Sequence, residues 1–212
     1  MMQIRAVGPG VFELGGVRMD KQQRTVSFPA VLNRDHGPME YFLVTTYGKT
    51  HESILRTEVQ PYHIHLAMLL LDAKGAGTNA FPGNAAQNPG GPLKNPSKET
   101  IAGDRVTIAV HWRVDGKETT RPAQDLVFNT QAKSVLGKGQ WVYNGSQVWQ
   151  GSFFAQKDGS LVTLITDPGA LINNTGPGHD NDDIWTANTN NLPPPNTVLE
   201  VTIKLEDPQP RQ

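Results

Sequence analysis

The stretch VTIAVHWRV, residues 106–114, decides the fold. Val106, Ile108, Val110, Trp112 and Val114 alternate with Thr107, Ala109, His111 and Arg113. That period of two gives a strand with one apolar face. The C-terminal stretch VLEVTIKL (198–205) repeats the pattern, with Leu199, Val201, Ile203 and Leu205 on one side. Near the N-terminus, Val26, Phe28, Ala30 and Leu32 do the same. Pro29 interrupts that third run and cannot donate a ladder hydrogen bond, which predicts an edge or a bulge there. EYFLVTTY (40–47) adds a β-branched and aromatic segment.

Turn pairs punctuate these runs. Gly15-Gly16, Asp115-Gly116, Asn144-Gly145 and Asp158-Gly159 each sit between strand-like flanks. Such pairs supply the positive φ angles of two-residue hairpins, so antiparallel meanders are expected. One helix interrupts the strands, over about residues 61–73. Pro61 suits a first helical position, and Gly75 offers a stop. Ile64, Ala67, Met68 and Leu71 form its main apolar face, and Leu66, Leu69 and Leu70 carry apolar surface nearly all round. A helix of that kind is expected to be buried against more than one element. Shorter helical turns are expected around 122–129 and 167–173.

The fold class that follows is α+β, predominantly antiparallel β with one buried helix. A long Gly/Pro/Asn-rich loop spans 75–103, a mobile excursion or a functional cover. Residues 1–16 read as an N-terminal extension, 17–208 as a single β-rich domain and 209–212 as a tail.

Composition narrows the function. With 19 basic and 20 acidic residues the charge is balanced, so no basic stripe invites nucleic acid. No apolar run approaches the ~20 residues of a membrane span. The absence of cysteine removes disulfides, zinc–thiolate sites, iron–sulfur clusters and thiol nucleophiles. MMQIRAVGPG, residues 1–10, lacks the apolar centre of a signal peptide; a removed export signal would leave the same trace.

Ionisable groups concentrate in KTHESILRTEVQPYHIHLAMLLLDA, residues 49–73. His63 and His65 would chelate one metal on a strand, but on a helix they point about 160° apart. A histidine satisfied inside the fold is the plain reading of either. His51, Glu52 and Ser53 precede the helix. If they fold back on it, His51, Glu52 and His65 supply imidazole and carboxylate ligands for a divalent metal, with Glu52 a ligand or general base. The plain reading of Glu52 is an anchor for a lysine or arginine. Ser53 lacks the turn and partners of a serine nucleophile. Asp180, Asp182 and Asp183 offer oxygen ligands but not the calcium-loop spacing, so a solvated acidic turn is expected. His111 reads as a surface residue and Trp112 as core. Trp149 and Trp185 are candidates for a stacking platform.

The chain resembles the YdjY-like family of bacterial proteins. The similar pieces are VSFPAVLN (26–33), KTHESIL (49–55), HIHLAMLLL (63–71), VTIAVHW (106–112), WVYNGSQ (141–147) and NLPPPNTVLEVTI (191–203). The resemblance implies a bacterial, exported, periplasmic or envelope-associated domain, and it supplies no activity. Some members are described as ferredoxin-like, but a chain without cysteine cannot ligate an ordinary iron–sulfur cluster. Three functions are therefore expected to compete. The first is a noncatalytic binding or assembly module of the cell envelope, holding a small-molecule ligand or a protein partner. The second is a metal-dependent hydrolase or lyase centred on His51, Glu52 and His65. The third is an accessory subunit of a larger envelope complex.

Overall fold

The computed structural model describes residues 3–76 and 101–207. Most of the expected 75–103 loop and the 209–212 tail lie outside the described residues. In chain order, β1 (Arg5–Gly8), β2 (Val11–Leu14), β3 (Val17–Asp20) and β4 (Thr25–Leu32) form an antiparallel meander. Then come β5 (Tyr41–Thr45), β6 (Ser53–Thr57) and α1 (Pro61–Leu70). They are followed by β7 (Asp104–Val114), β8 (Lys117–Pro122), β9 (Val127–Asn129), β10 (Ser134–Val135) and β11 (Trp141–Tyr143). The chain ends through β12 (Val148–Trp149), β13 (Ser152–Phe153), α2 (Phe154–Asp158), β14 (Ser160–Thr163), β15 (Ile172–Asn174), β16 (Trp185–Ala187) and β17 (Val198–Leu205).

The strands that alternate most clearly are the staves of a barrel. β17 lies between β4 and β7, with Val201 opposite both Phe28 and Val110. The ring continues through β11, β15, β14, β5 and β6, and β6 returns to pair with β4. Eight strands thus close on themselves, and a barrel of that size is just wide enough for side chains to fill. Phe28, Phe42, Ile108, Val110, Trp141 and Val201 belong to one buried apolar cluster.

Pro29 sits neither at a sheet edge nor at a bulge. On one flank it faces Glu200 of β17. On the other, β3 pairs only as far as Ser27 and β6 begins at Val31. The residue without an N–H occupies the point where β4 changes partner. Gly15-Gly16 and Asp115-Gly116 form the expected hairpin turns, whereas Asn144-Gly145 follows β11 into a loop and Gly159 ends α2.

Two pairs in the ring, β5–β6 and β14–β15, are parallel rather than antiparallel. Parallel neighbours ordinarily need a crossover of a dozen or more residues, commonly a helix. Here residues 46–52 and 164–171 suffice, without an α-helix. Their backbone groups must find partners elsewhere, and buried or half-buried asparagine side chains supply them. Asn174 Nδ2 donates to Leu164 O at 2.9 Å, and Asn144 Nδ2 to Ala170 O at 2.8 Å. Asn173 donates to Asp167 O and accepts from Asp167 N. Asn33 Nδ2 donates to Thr50 O and Ser53 O.

α1 ends three residues earlier than expected. Asp72, not Gly75, takes the left-handed position at φ 64°. The Asp72 N–H donates to Leu69 O and the Ala73 N–H to Met68 O, a Schellman ending. The helix is also less enclosed than expected. Ile64, Ala67 and Met68 are buried, while Tyr62, Leu69 and Leu70 are exposed. A second helix, α2, was not expected; Ala123–Leu126 is a 3₁₀ turn, and 167–173 runs into β15. The result is a β-rich barrel carrying two α-helices among the described residues. β1 and β2, expected as an extension, continue the same sheet outside the ring.

Candidate functional site

The structure divides the trio His51, Glu52 and His65. Residues 50–52 enter β6 and α1 leaves it, so five extended residues, about 16 Å, intervene. His51 is exposed, and its Nε2 lies 3.7 Å from Oε2 of Glu52. Glu52 is mostly covered and faces Lys49, with Nζ 3.4 Å from Oε1. His65 belongs to a different neighbourhood altogether. Among the described residues, no three His, Asp or Glu side chains gather as metal ligands.

Lys49 is the centre of the first cluster. It bridges Glu52 and Glu40, the latter at 3.5 Å, and lies over the Tyr41 ring. Burial alone would lower the Lys49 pKa, but the two carboxylates outweigh it and hold the ammonium above the ordinary lysine value. Glu40 is pushed up by burial and by the Glu52 charge, with Lys49 pulling the other way. The Tyr41 hydroxyl donates to Asp167 Oδ2 at 3.0 Å, and Asp167 Oδ1 accepts from the Gly169 N–H. Burial raises the Asp167 carboxyl above its usual range in spite of those donors. A lysine so neutralised is a clamp between connections rather than a nucleophile.

His65 forms the second cluster. Its Nδ1 is 2.7 Å from the hydroxyl of the buried Tyr143, and its ring centroid is 4.9 Å from that of Phe153. Burial lowers its pKa, favouring a neutral ring whose Nδ1 accepts from the tyrosine. His63, on the other flank of α1, sits 3.1 Å from Gly15 O. Both helix histidines are thus engaged by the fold.

The other candidates are also structural. Ser53 is buried and donates to Leu55 O. Asp180, Asp182 and Asp183 are exposed, while Trp185 is buried with Nε1 donating to Gly178 O. The Trp149 side chain lies outside the described residues. His111 is on the surface, bonded to Glu118 and Thr120. Sequence reading missed Glu40, Tyr41, Lys49, Tyr143 and Asp167. Tyr41 and Asp167 meet across 126 positions, and no local spacing announces that contact.

The chain from β3 onward, barrel included, coincides with a known domain. Comparison with protein families matches residues 17–204 to the YdjY domain. The chain belongs to the YdjY family. Curated proteins and solved structures give no match. The match begins at β3, so the β1–β2 hairpin precedes the YdjY domain and adds to the edge of its sheet. It includes both polar clusters and all of α1.

One surface of this YdjY domain remains unexplained by packing. At 100° per residue, Tyr62, Leu69 and Leu70 lie on the side of α1 away from Ile64, Ala67 and Met68, and Leu66 among them is partly buried and packs on the core. Tyr62 is 50% exposed, Leu69 48% and Leu70 39%. Tyr47, 49% exposed, is tied to the start of the helix through Gln156, which binds both the Tyr47 hydroxyl and the Tyr62 N–H.

Proposed function

We propose that this domain is a noncatalytic binding or assembly module of the bacterial cell envelope, and that it engages a protein partner through the outward face of α1. The observation that carries the reading is the outward apolar trio Tyr62, Leu69 and Leu70, each more than a third exposed. Exposed leucines scattered singly need no explanation, but an aromatic and two leucines on one side of a helix form a patch. An apolar helix face is a familiar unit of protein recognition.

Two further points support it. Glu52 faces Lys49 while His65 contacts Tyr143 and Phe153, and a docking role needs no centre shared by the two. The ionisable clusters that do exist hold connections together. The envelope setting follows from the family resemblance.

The test is affinity recovery of partners from envelope extracts of the source bacterium with wild type, Tyr62→Glu and Leu69→Glu. The expected result is an identified protein held by wild type and lost from both variants, with melting temperatures unchanged. A partner set indifferent to both charges would overturn the reading.

A further inference from the structure

We infer that the open cavity beside the β2–β3 turn binds a small hydroxylated monocarboxylate, with Arg18 as the anchor of its carboxylate. This site is separate from the outward face of α1 and does not depend on it.

The cavity has a volume of about 530 Å³ and lies among Gln3, Arg5, Glu13, Gly15, Gly16 and Arg18. Sites for small molecules run roughly 300–1,000 Å³, so the size fits such an occupant. The register of the meander assembles the polar side. Arg5 of β1 stands opposite Glu13 of β2, and Glu13 stands opposite Arg18 of β3. Residues directly opposite on antiparallel neighbours share a face, with Cβ atoms about 5 Å apart. Two guanidiniums therefore flank one carboxylate in a single row.

Charge leaves that row incomplete. Arg5 takes Glu13 as its ion pair. Among the described residues Arg18 has no ion pair. On its other flank it faces Ser27, whose hydroxyl is shared with Thr202. Two arginines against one glutamate give the lining one net positive charge. A guanidinium fork matches a planar carboxylate through two parallel hydrogen bonds. One monoanion balances the cavity, whereas a phosphate dianion would exceed the balance and stand close to Glu13.

The rest of the lining sets what the anion carries. Arg5 engages Oε2 of Glu13, which leaves the other oxygen as an acceptor for a ligand hydroxyl. The Gln3 amide can donate and accept beside it. Gly15 and Gly16, at φ 51° and 84°, place no side chain across the opening. A ligand can therefore approach the turn backbone closely.

Most of these residues precede the YdjY match, which begins at residue 17. Without the β1–β2 hairpin, β3 would offer Arg18 alone on a bare edge. The hairpin turns a single arginine into a walled site.

The test is NMR titration of the full chain with glucuronate and with inorganic phosphate, read at the Gly15 and Gly16 amides. Glucuronate should shift both amides with a dissociation constant on the order of 1 mM at low salt. Arg18→Gln should weaken it at least about tenfold, and Arg18→Lys, which keeps the charge but not the fork, should recover only part. Arg113→Gln, an exposed arginine paired with Glu118, should leave binding unchanged. Phosphate should bind wild type at least about fivefold more weakly than glucuronate, and Glu13→Gln should narrow or reverse that preference. No shift at about 20 mM glucuronate, binding indifferent to Arg18→Gln, or equal affinity for phosphate in wild type would overturn the inference.

Discussion

The Tyr41 hydroxyl donates to Oδ2 of Asp167 at 3.0 Å, joining the first residue of β5 to the β14–β15 connection. Lys49, from the other short connection, stands over the same ring with Nζ 5.0 Å from its centre. One tyrosine therefore pins together the two crossovers that allow parallel pairing in the barrel. Tyr41→Phe removes the donor and leaves a partly buried carboxylate oxygen unpaired. The expected loss is about 1–2 kcal/mol in urea unfolding, with the slope unchanged. An unshifted midpoint would mean that the connections hold each other by packing alone.

Asp167 also sets a pH dependence. Burial raises its folded pKa above the unfolded value, so between the two the native state binds more protons than the unfolded chain. Its contribution to stability is full below the unfolded value near 3.8 and is lost as pH rises through the folded pKa. The stability of wild type relative to Asp167→Asn should accordingly decline as pH increases from about 4 toward 7. Urea curves at several pH values measure it. A difference that stays flat, or that grows with pH, refutes this account of the carboxyl.

His65 has the opposite sign. Its folded pKa lies below 6.5, so the unfolded chain takes up a proton that the native ring resists. Stability from this group is present above pH 6.5 and falls as the solution is acidified toward the folded pKa. His65→Gln should lose that acid-side decline, and NMR titration of wild type should place the His65 midpoint below 6.5. A midpoint at or above that value would contradict the buried, tyrosine-bonded ring.

The barrel wall was the most legible part of the sequence because its signal is local. Val106 to Trp112, Leu199 to Leu205 and Val26 to Leu32 alternate, and all three became adjacent staves with the expected faces buried. The parallel pairs were hidden for a physical reason. Their short connections depend on Asn33 at β5–β6 and on Asn144, Asn173 and Asn174 at β14–β15, and an asparagine that ties backbone inside the fold looks like a loop residue in sequence. Pro29 reads as an edge or a bulge because sequence cannot show a strand exchanging partners along its length. His51, Glu52 and His65 were grouped by nearness in sequence, but β6 is extended and carries them apart. α1 was correctly located, yet its apolar circumference was mistaken for burial when half of it faces outward.

The contact between α1 and the β2–β3 turn yields a sharper prediction from two glycines. Gly15 and Gly116 both occupy two-residue turns at positive φ, 51° and 78°. Alanine at either position meets the left-handed backbone cost of about 1 kcal/mol. At Gly116 nothing lies within 4 Å of the added Cβ, so that cost is the whole effect. At Gly15 the Cβ would fall 1.9 Å from His63 Nδ1, and the imidazole would have to leave its place on α1. Gly15→Ala should therefore cost about 3 kcal/mol, roughly three times Gly116→Ala. Adding His63→Ala to Gly15→Ala should restore part of the loss, because the ring that blocks the methyl is gone. Equal losses at the two glycines, or no recovery in the double variant, would show that the turn and the helix do not share this contact.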